Sequence, residues 1–252
     1  NLFFFDKYRV IFTIFTLSNF IKNTQSKILF TSMMHTNVVA IFLKLFFNRN
    51  LKVIIRESNM ISLKSHYENS SKSRIINWLA KKLYNKADAI IAPTNAIKND
   101  LINNYNVNST LIYKIQNPYD FNQIERLSNK LPNKKEKKLI QKPYLLSIGR
   151  LHIQKNFSFL IEAFKHVILN QNFKNLKLYI LGDGKQKKFL KDKIKFLNLR
   201  NNVSLLGFQK NPFIFMKKSK LFLLTSLYEG HSNVLVQAQY LKNKIIASTA
   251  GG

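Results

Sequence analysis

The sequence predicts an α/β chain built as two successive β/α units, and three observations carry that expectation. Short apolar runs of strand length alternate with segments whose apolar residues recur at helical spacing. The alternation is interrupted at 131–142 (LPNKKEKKLIQK), where a proline and a charged run replace any apolar period, and it then restarts. Twice, at Tyr144–Asn156 and Leu221–Leu241, an apolar strand passes through a glycine turn into a helix. Residues 1–130 are therefore expected to form one domain, 131–142 a linker and 143–252 a second domain.

In chain order, Phe5–Lys22 reads as an amphipathic helix, 27–31 as a buried strand, 35–47 as an apolar-faced helix and 51–55 as the next strand. Arg56-Glu57-Ser58-Asn59 follows at a sheet edge, and 60–71 reads as a polar loop long enough to have a function. A helix over 73–85 carries Ile75, Ile76, Leu79 and Leu83 on one face. Pro93 stops a strand at 89–92, a helix covers 94–105, and a strand at 111–115 ends before Asn117-Pro118. Beyond the charged run, strands are expected at 144–148, 176–181, 203–206, 221–225 and 244–248, with helices at 157–169, 186–197, 212–218 and from Ser232. Ala250-Gly251-Gly252 begins one more strand-end turn, and the chain reads as a fragment truncated at both ends.

Composition narrows the function classes. With 46% hydrophobic and 13% aromatic residues the chain buries real cores, so it is not a disordered polycation. Lys+Arg 41 against Asp+Glu 12 gives +29, which attracts nucleic acid, acidic headgroups or phosphorylated substrates. Lys, Asn, Ile and Phe dominate throughout, so much of that charge reads equally as unselected surface, and no alternation of Arg with aromatic residues marks a specific nucleic-acid face. Cysteine is absent, and His35, His66, His152, His166 and His231 show no ligand spacing, so no metal site is expected. The apolar runs Val10–Phe20 and Val38–Phe47 fall short of the ~20 residues a membrane span needs. A soluble or membrane-surface protein is expected.

The two strand–turn–helix stretches carry the chemistry. Gly230 permits the turn, Ser232 is placed to cap the helix, and the helix's amino end attracts anions. Glu229, just before it, can accept from hydroxyl groups, so the pair of features suits a ligand with both phosphate and sugar. In the other stretch Arg150 and Lys155 follow a strand directly. Two cations there, beside an anion-ready helix end, would make a diphosphate clamp beyond the carboxyl ends of the strands. The plainer alternative is an ordinary strand connection with surface cations.

Gly149-Arg150-Leu151 with Gln154-Lys155-Asn156, Leu181-Gly182-Asp183-Gly184, Leu206-Gly207-Phe208, and Tyr228-Glu229-Gly230 with Asn233-Val234-Leu235 resemble the motifs of the family-4 glycosyltransferases, in that family's order. Asn117-Pro118-Tyr119-Asp120 resembles the turn after the last strand of the family's first domain. The resemblance implies two Rossmann-like domains facing a cleft, the GT-B fold, and retaining transfer of a hexose or N-acetylhexosamine from a nucleotide-diphosphate sugar to a glycan or lipid-linked acceptor. It implies a metal-independent reaction with no cofactor besides the donor. Arg150 and Lys155 would hold the phosphates, with the backbone N–H groups of Asn233 and Val234, and Glu229 would bind the sugar hydroxyls. Gly149, Gly182, Phe208, Gln209, Gly230, His231 and Ser232 would line the donor site. The family's second glutamate, eight positions past Glu229, is Gln237 here, a weaker acceptor for ribose hydroxyls. His35, Arg56 and Glu57 are the acceptor-side candidates, with the 60–71 loop gripping the acceptor or covering the site. A cytoplasmic protein, peripheral at an anionic inner membrane face, is expected. The rivals are a catalytically inactive binding relative, a nicotinamide-dependent oxidoreductase, which the incomplete GxGxxG fingerprint disfavours, and a basic polyanion binder.

Overall fold

In the computed structural model, which describes residues 13–68 and 70–250, the apolar runs assemble into two all-parallel sheets. The chain divides into two compact units between Asn117 and Pro118. The first comprises α1 (Ile14–Asn23), β1 (Ile28–Ser32), α2 (Met34–Phe46), β2 (Lys52–Arg56), α3 (Ile61–Tyr67), α4 (Ser71–Leu83), β3 (Ala89–Ala92), α5 (Asn95–Tyr105) and β4 (Ile112–Lys114). Its sheet runs β1-β2-β3-β4, with Ile28 opposite Lys52, Ile54 opposite Ala89 and Ile90 opposite Ile112. Val53, Ile55 and Ile90 from the strands pack with Ile41, Leu43, Ile97 and Leu101 from the helices as its core. Thr94 starts α5 by accepting the Ile97 N–H, and Asn106 ends it in the left-handed region.

The second unit comprises α6 (Phe121–Ser128), α7 (Lys134–Ile140), β5 (Tyr144–Ile148), α8 (Phe157–Leu169), β6 (Lys177–Leu181), α9 (Lys187–Phe196), β7 (Val203–Gly207), α10 (Phe213–Lys218), β8 (Leu221–Leu224), α11 (Asn233–Tyr240) and β9 (Ile245–Ala247). Its sheet order is β7-β6-β5-β8-β9, so the direction of strand addition reverses between β5 and β8. Helices cover both faces, and period-2 alternation feeds two cores: Leu178 and Ile180 pack on one side, Tyr179 and Leu181 on the other. The Ser147 hydroxyl, buried mid-sheet, donates to Leu223 O at 2.6 Å and ties β5 to β8.

Four expectations need correction or completion. The polar stretch 60–71 contains α3, because Ile61 is buried and the Asp100 carboxylate receives the Ser62 N–H at the helix start. The expected linker 131–142 contains α7, nucleated by a capping box between Asn133 and Glu136, with Leu139 and Ile140 packed on the second unit's core. The division of the units falls upstream of that stretch, and α6, absent from the sequence reading, starts at an Asp120 cap. Ile75 does not share the buried face of α4; it stands 61% exposed while Ile76, Leu79 and Leu83 pack inward. The expected helix over 5–12, Asn69 of the expected loop, and the Gly251-Gly252 turn lie outside the described residues.

Candidate functional site

The loop after β5 is clasped by its neighbour after β6. Gly149 N–H donates to Leu181 O and Leu151 N–H to Asp183 O, while Gln186 N–H reaches Leu151 O. Gly182 makes this approach possible: its φ is +136°, and a Cβ there would stand 1.9 Å from Gly149 O. Beyond the strand ends a cavity of about 370 Å³ is lined by Gly149, Arg150, Gly182, Asp183, Phe208 and Gln209, among others. Phe208 is 76% exposed, so its ring is not committed to the core. The Gln209 amide donates to Leu206 O, which fixes its side chain at the rim. Arg150 is exposed at the cavity, and its guanidinium makes no hydrogen bond or ion pair with the described residues.

The loop after β5 is also stitched to the loop after β8, across the point where strand order reverses. Leu227 N–H donates to Gln154 O, the Gln154 amide to Tyr228 O at 3.0 Å, and the Thr225 hydroxyl to Lys155 O at 3.0 Å. These bonds bring Lys155, whose alkyl stem lies against Gly149, into an ion pair with Glu229. Both side chains are largely buried. Glu229 Oε1 accepts from the Lys155 ammonium and from the Ser226 hydroxyl at 2.6 Å; Oε2 accepts from none of the described residues. A carboxylate held on one oxygen and open on the other can still receive a ligand hydroxyl.

The amino end of α11 departs from expectation in one respect. Ser232 occupies the cap position, yet its side chain makes no capping bond and its buried hydroxyl has no partner among the described residues. An orphaned buried hydroxyl beside a helix amino end is a place for a polar ligand atom. The ladder of α11 begins with Leu235 and Val236 both donating to Ser232 O, and the Val234 side chain packs on the core. Tyr119 closes this end: its hydroxyl lies 2.6 Å from His231 Nε2 and donates to Asn233 Oδ1 at 2.8 Å. A ring stack runs from Tyr119 through Phe121 to Tyr240. Gly230 sits in the turn between Glu229 and His231, and half-buried Gln237 lies one turn beyond Asn233 on the same side of α11.

The acceptor-side candidates separate. His35 lines a second cavity of about 450 Å³ with Lys64, Glu68, Lys72 and Ser73; burial, then Lys64, holds its imidazole below the ordinary value. Arg56 is engaged by Ser32 and Asn117. Glu57 is 4% exposed, receives the Asn37 amide at 2.7 Å and the Tyr84 hydroxyl, and so is held inside the first unit rather than at its surface. Burial pushes its carboxyl up to about 7, against the pull of those two hydrogen bonds.

Two family models match almost end to end: Glycosyltransferase Family 4 over residues 1–123 and glycosyl transferases group 1 over residues 129–252. The chain belongs to glycosyltransferase family 4. Among curated relatives of this family-4 chain, an uncharacterized glycosyltransferase of Methanocaldococcus jannaschii is 37% identical over 183 residues, 72% of this chain and 45% of that protein. The N-acetylgalactosamine-N,N'-diacetylbacillosaminyl-diphospho-undecaprenol 4-alpha-N-acetylgalactosaminyltransferase of Campylobacter jejuni is 32% identical over 202 residues, 80% of this chain and 52% of that protein. The chain thus spans about half the length of these relatives. Of solved structures, the Anabaena protein HepE in complex with UDP-glucose superposes with TM-score 0.76 at 22% identity, covering 95% of this chain and 64% of that one. The sucrose-phosphate synthase of Thermosynechococcus elongatus superposes at 0.77 with 14% identity, covering 99% and 63%. The two parallel sheets are those of a GT-B fold.

Proposed function

We propose that this chain is the donor-binding and part of the acceptor-side machinery of a retaining glycosyltransferase that moves a hexose or N-acetylhexosamine from a nucleotide-diphosphate sugar to a glycan or lipid-linked acceptor. The observation that carries the reading is the Lys155–Glu229 pair at the reversal of strand order, next to a cavity with one exposed aromatic wall. The nucleobase lies along Phe208 and Gln209, and Gly149 and Gly182 line the same cavity, Gly149 leaving room for the Lys155 stem and Gly182 for the Gly149 carbonyl. Arg150, Lys155 and the N–H groups of Asn233 and Val234 hold the diphosphate. Fixed positive groups there stabilise the negative charge that grows as the sugar–phosphate bond lengthens. Glu229 Oε2 accepts from a sugar hydroxyl, Ser232 Oγ bonds the phosphate or sugar, and His231, oriented by Tyr119, borders the sugar with Gly230. Gln237 accepts from the ribose. In a same-face transfer the bond from the anomeric carbon to phosphate breaks, the bond to the acceptor oxygen forms, and the acceptor's proton passes to the departing phosphate. Metal is not required in this scheme.

The Campylobacter relative is named for transfer to a diphospho-undecaprenol-linked sugar, which supports a lipid-linked acceptor here. His35 and the cavity around it are the acceptor-side surface of the proposal, with Arg56 holding the strand end beside it. The charge of +29 supports a place at an anionic membrane face on the cytoplasmic side.

Incubation of the chain with a panel of labelled nucleotide sugars and a polyprenyl-diphosphate sugar tests the reading. Transfer with the anomeric configuration kept is the expected result, and inversion would remove the same-face mechanism. The neutral Gln237 favours a second reading, a binding relative without turnover; saturable donor binding with no transfer of label would establish it.

A further inference from the structure

Helix α4 carries two apolar stripes, only one of which the fold uses. Ile76, Leu79, Ala80 and Leu83 face the core of the first unit. Ile75 and Trp78, three residues apart and so on one face, stand 61% and 59% exposed. Lys72 continues that ladder before them and Lys82 after, both exposed, and Lys81 borders it with its ammonium 5.5 Å from the centre of the Tyr105 ring. The helix contains no Asp or Glu. An outward stripe of tryptophan and isoleucine in a lysine belt is the composition of a helix that lies in a lipid interface, with rings at headgroup depth and ammonium groups at the phosphates.

We propose that the outer face of α4 docks this chain on an anionic lipid surface, with Trp78 and Ile75 entering the headgroup layer and Lys72, Lys81 and Lys82 pairing with lipid phosphates. The proposal deepens the membrane-face reading above and does not depend on the donor chemistry. Charge complementarity selects the occupant: a strongly cationic chain presents an acid-free helix to a polyanionic plane. Among the described residues no helix is long and apolar enough to cross a membrane, so α4 lies on the surface. The orientation has a consequence for the acceptor. Lys72 and Ser73, in the first turn of α4, also line the cavity that contains His35. A lipid-borne acceptor would therefore reach that cavity along the docked helix.

Trp78 is the sole tryptophan of the sequence, so its fluorescence reports this face directly. The 252-residue chain is mixed with vesicles of phosphatidylcholine containing phosphatidylglycerol, and with pure phosphatidylcholine vesicles. The expected result is a blue shift, protection from acrylamide quenching and co-flotation with the anionic vesicles only. Lys81→Glu combined with Lys82→Glu should lower partitioning at least about tenfold, since each cation near an anionic surface adds to binding and each reversal turns attraction into repulsion. Ile75→Ser should weaken it less while leaving circular dichroism unchanged. Co-flotation without any change at Trp78 would assign binding to another surface and overturn the proposal. A concentration-dependent blue shift in the absence of lipid would overturn it in favour of a second copy of the chain. Donor affinity measured on the same samples keeps failure here distinct from failure of the transferase reading.

Discussion

Glu229 Oε1 is shared by Lys155 and Ser226, and the consequence of breaking that arrangement can be stated residue by residue. Lys155→Met leaves a buried carboxylate without its cation, which costs about 3–5 kcal/mol of stability. On the proposed reading it also takes a positive charge away from beside the departing diphosphate, for an expected loss of roughly a hundredfold in turnover. Thermal denaturation and steady-state kinetics separate the two effects; unchanged turnover in a folded variant would exclude Lys155 from the phosphate site. Glu57 gives a prediction of a different kind. Its folded-state value of about 7 lies above the ordinary 4.5, so its contribution to stability is fully present below about 4.5 and is lost as pH rises through about 7. The difference corresponds to roughly 3 kcal/mol. Glu57→Gln, neutral throughout, should flatten the melting temperature between those limits and melt above the parent at alkaline pH; a parallel pair of curves would contradict the assignment. Residue type and place in their motifs single out Arg150, Lys155 and Glu229 as candidates. The contact between Lys155 and Glu229 is not legible in the sequence, because 74 residues separate them and only the strand order brings their loops together. The bonds of Tyr119 to His231 and Asn233 are hidden for the same reason, the partners lying 112 and 114 positions away.

At the scale of elements, periodicity located most strands and helices to within a few residues, and β3, β5 and α8 at the expected bounds. The helices it missed are those held by polar or tertiary bonds: α3 by the Asp100 carboxylate, α6 by the Asp120 cap and α7 by its capping box. Charged residues in 131–142 hid the last of these. Asn133→Ala should destabilise the second unit by about 1 kcal/mol, measured by chemical denaturation, if α7 packs as described. No measurable change would mean the capping box is surface decoration. The clasp between the loops after β5 and β6 makes a sharper demand. Gly182→Ala places a Cβ inside Gly149 O, so the loop bearing Arg150 must move. Loss of donor binding greater than that of Arg150→Ala is expected; retention of parental affinity would show that the clasp does not shape the site.

On the scale of the whole molecule, each unit has a core of its own, and the residues proposed to bind the donor all belong to the second. A ligand that binds only the native second unit stabilises it by mass action, about 2.7 kcal/mol at a hundred times its dissociation constant. Calorimetry with saturating donor should therefore move the unfolding of the second unit and leave that of the first in place. The central claim is that the strand-order reversal between β5 and β8 holds two phosphates. Titration calorimetry of the chain with a nucleoside diphosphate and the matching monophosphate tests it most directly. At least about tenfold tighter binding of the diphosphate is predicted, consistent with the gain from a charge-assisted hydrogen bond, and Arg150→Ala should shrink the gap. Equal affinity for the two nucleotides, or a gap that Arg150→Ala leaves intact, would contradict it.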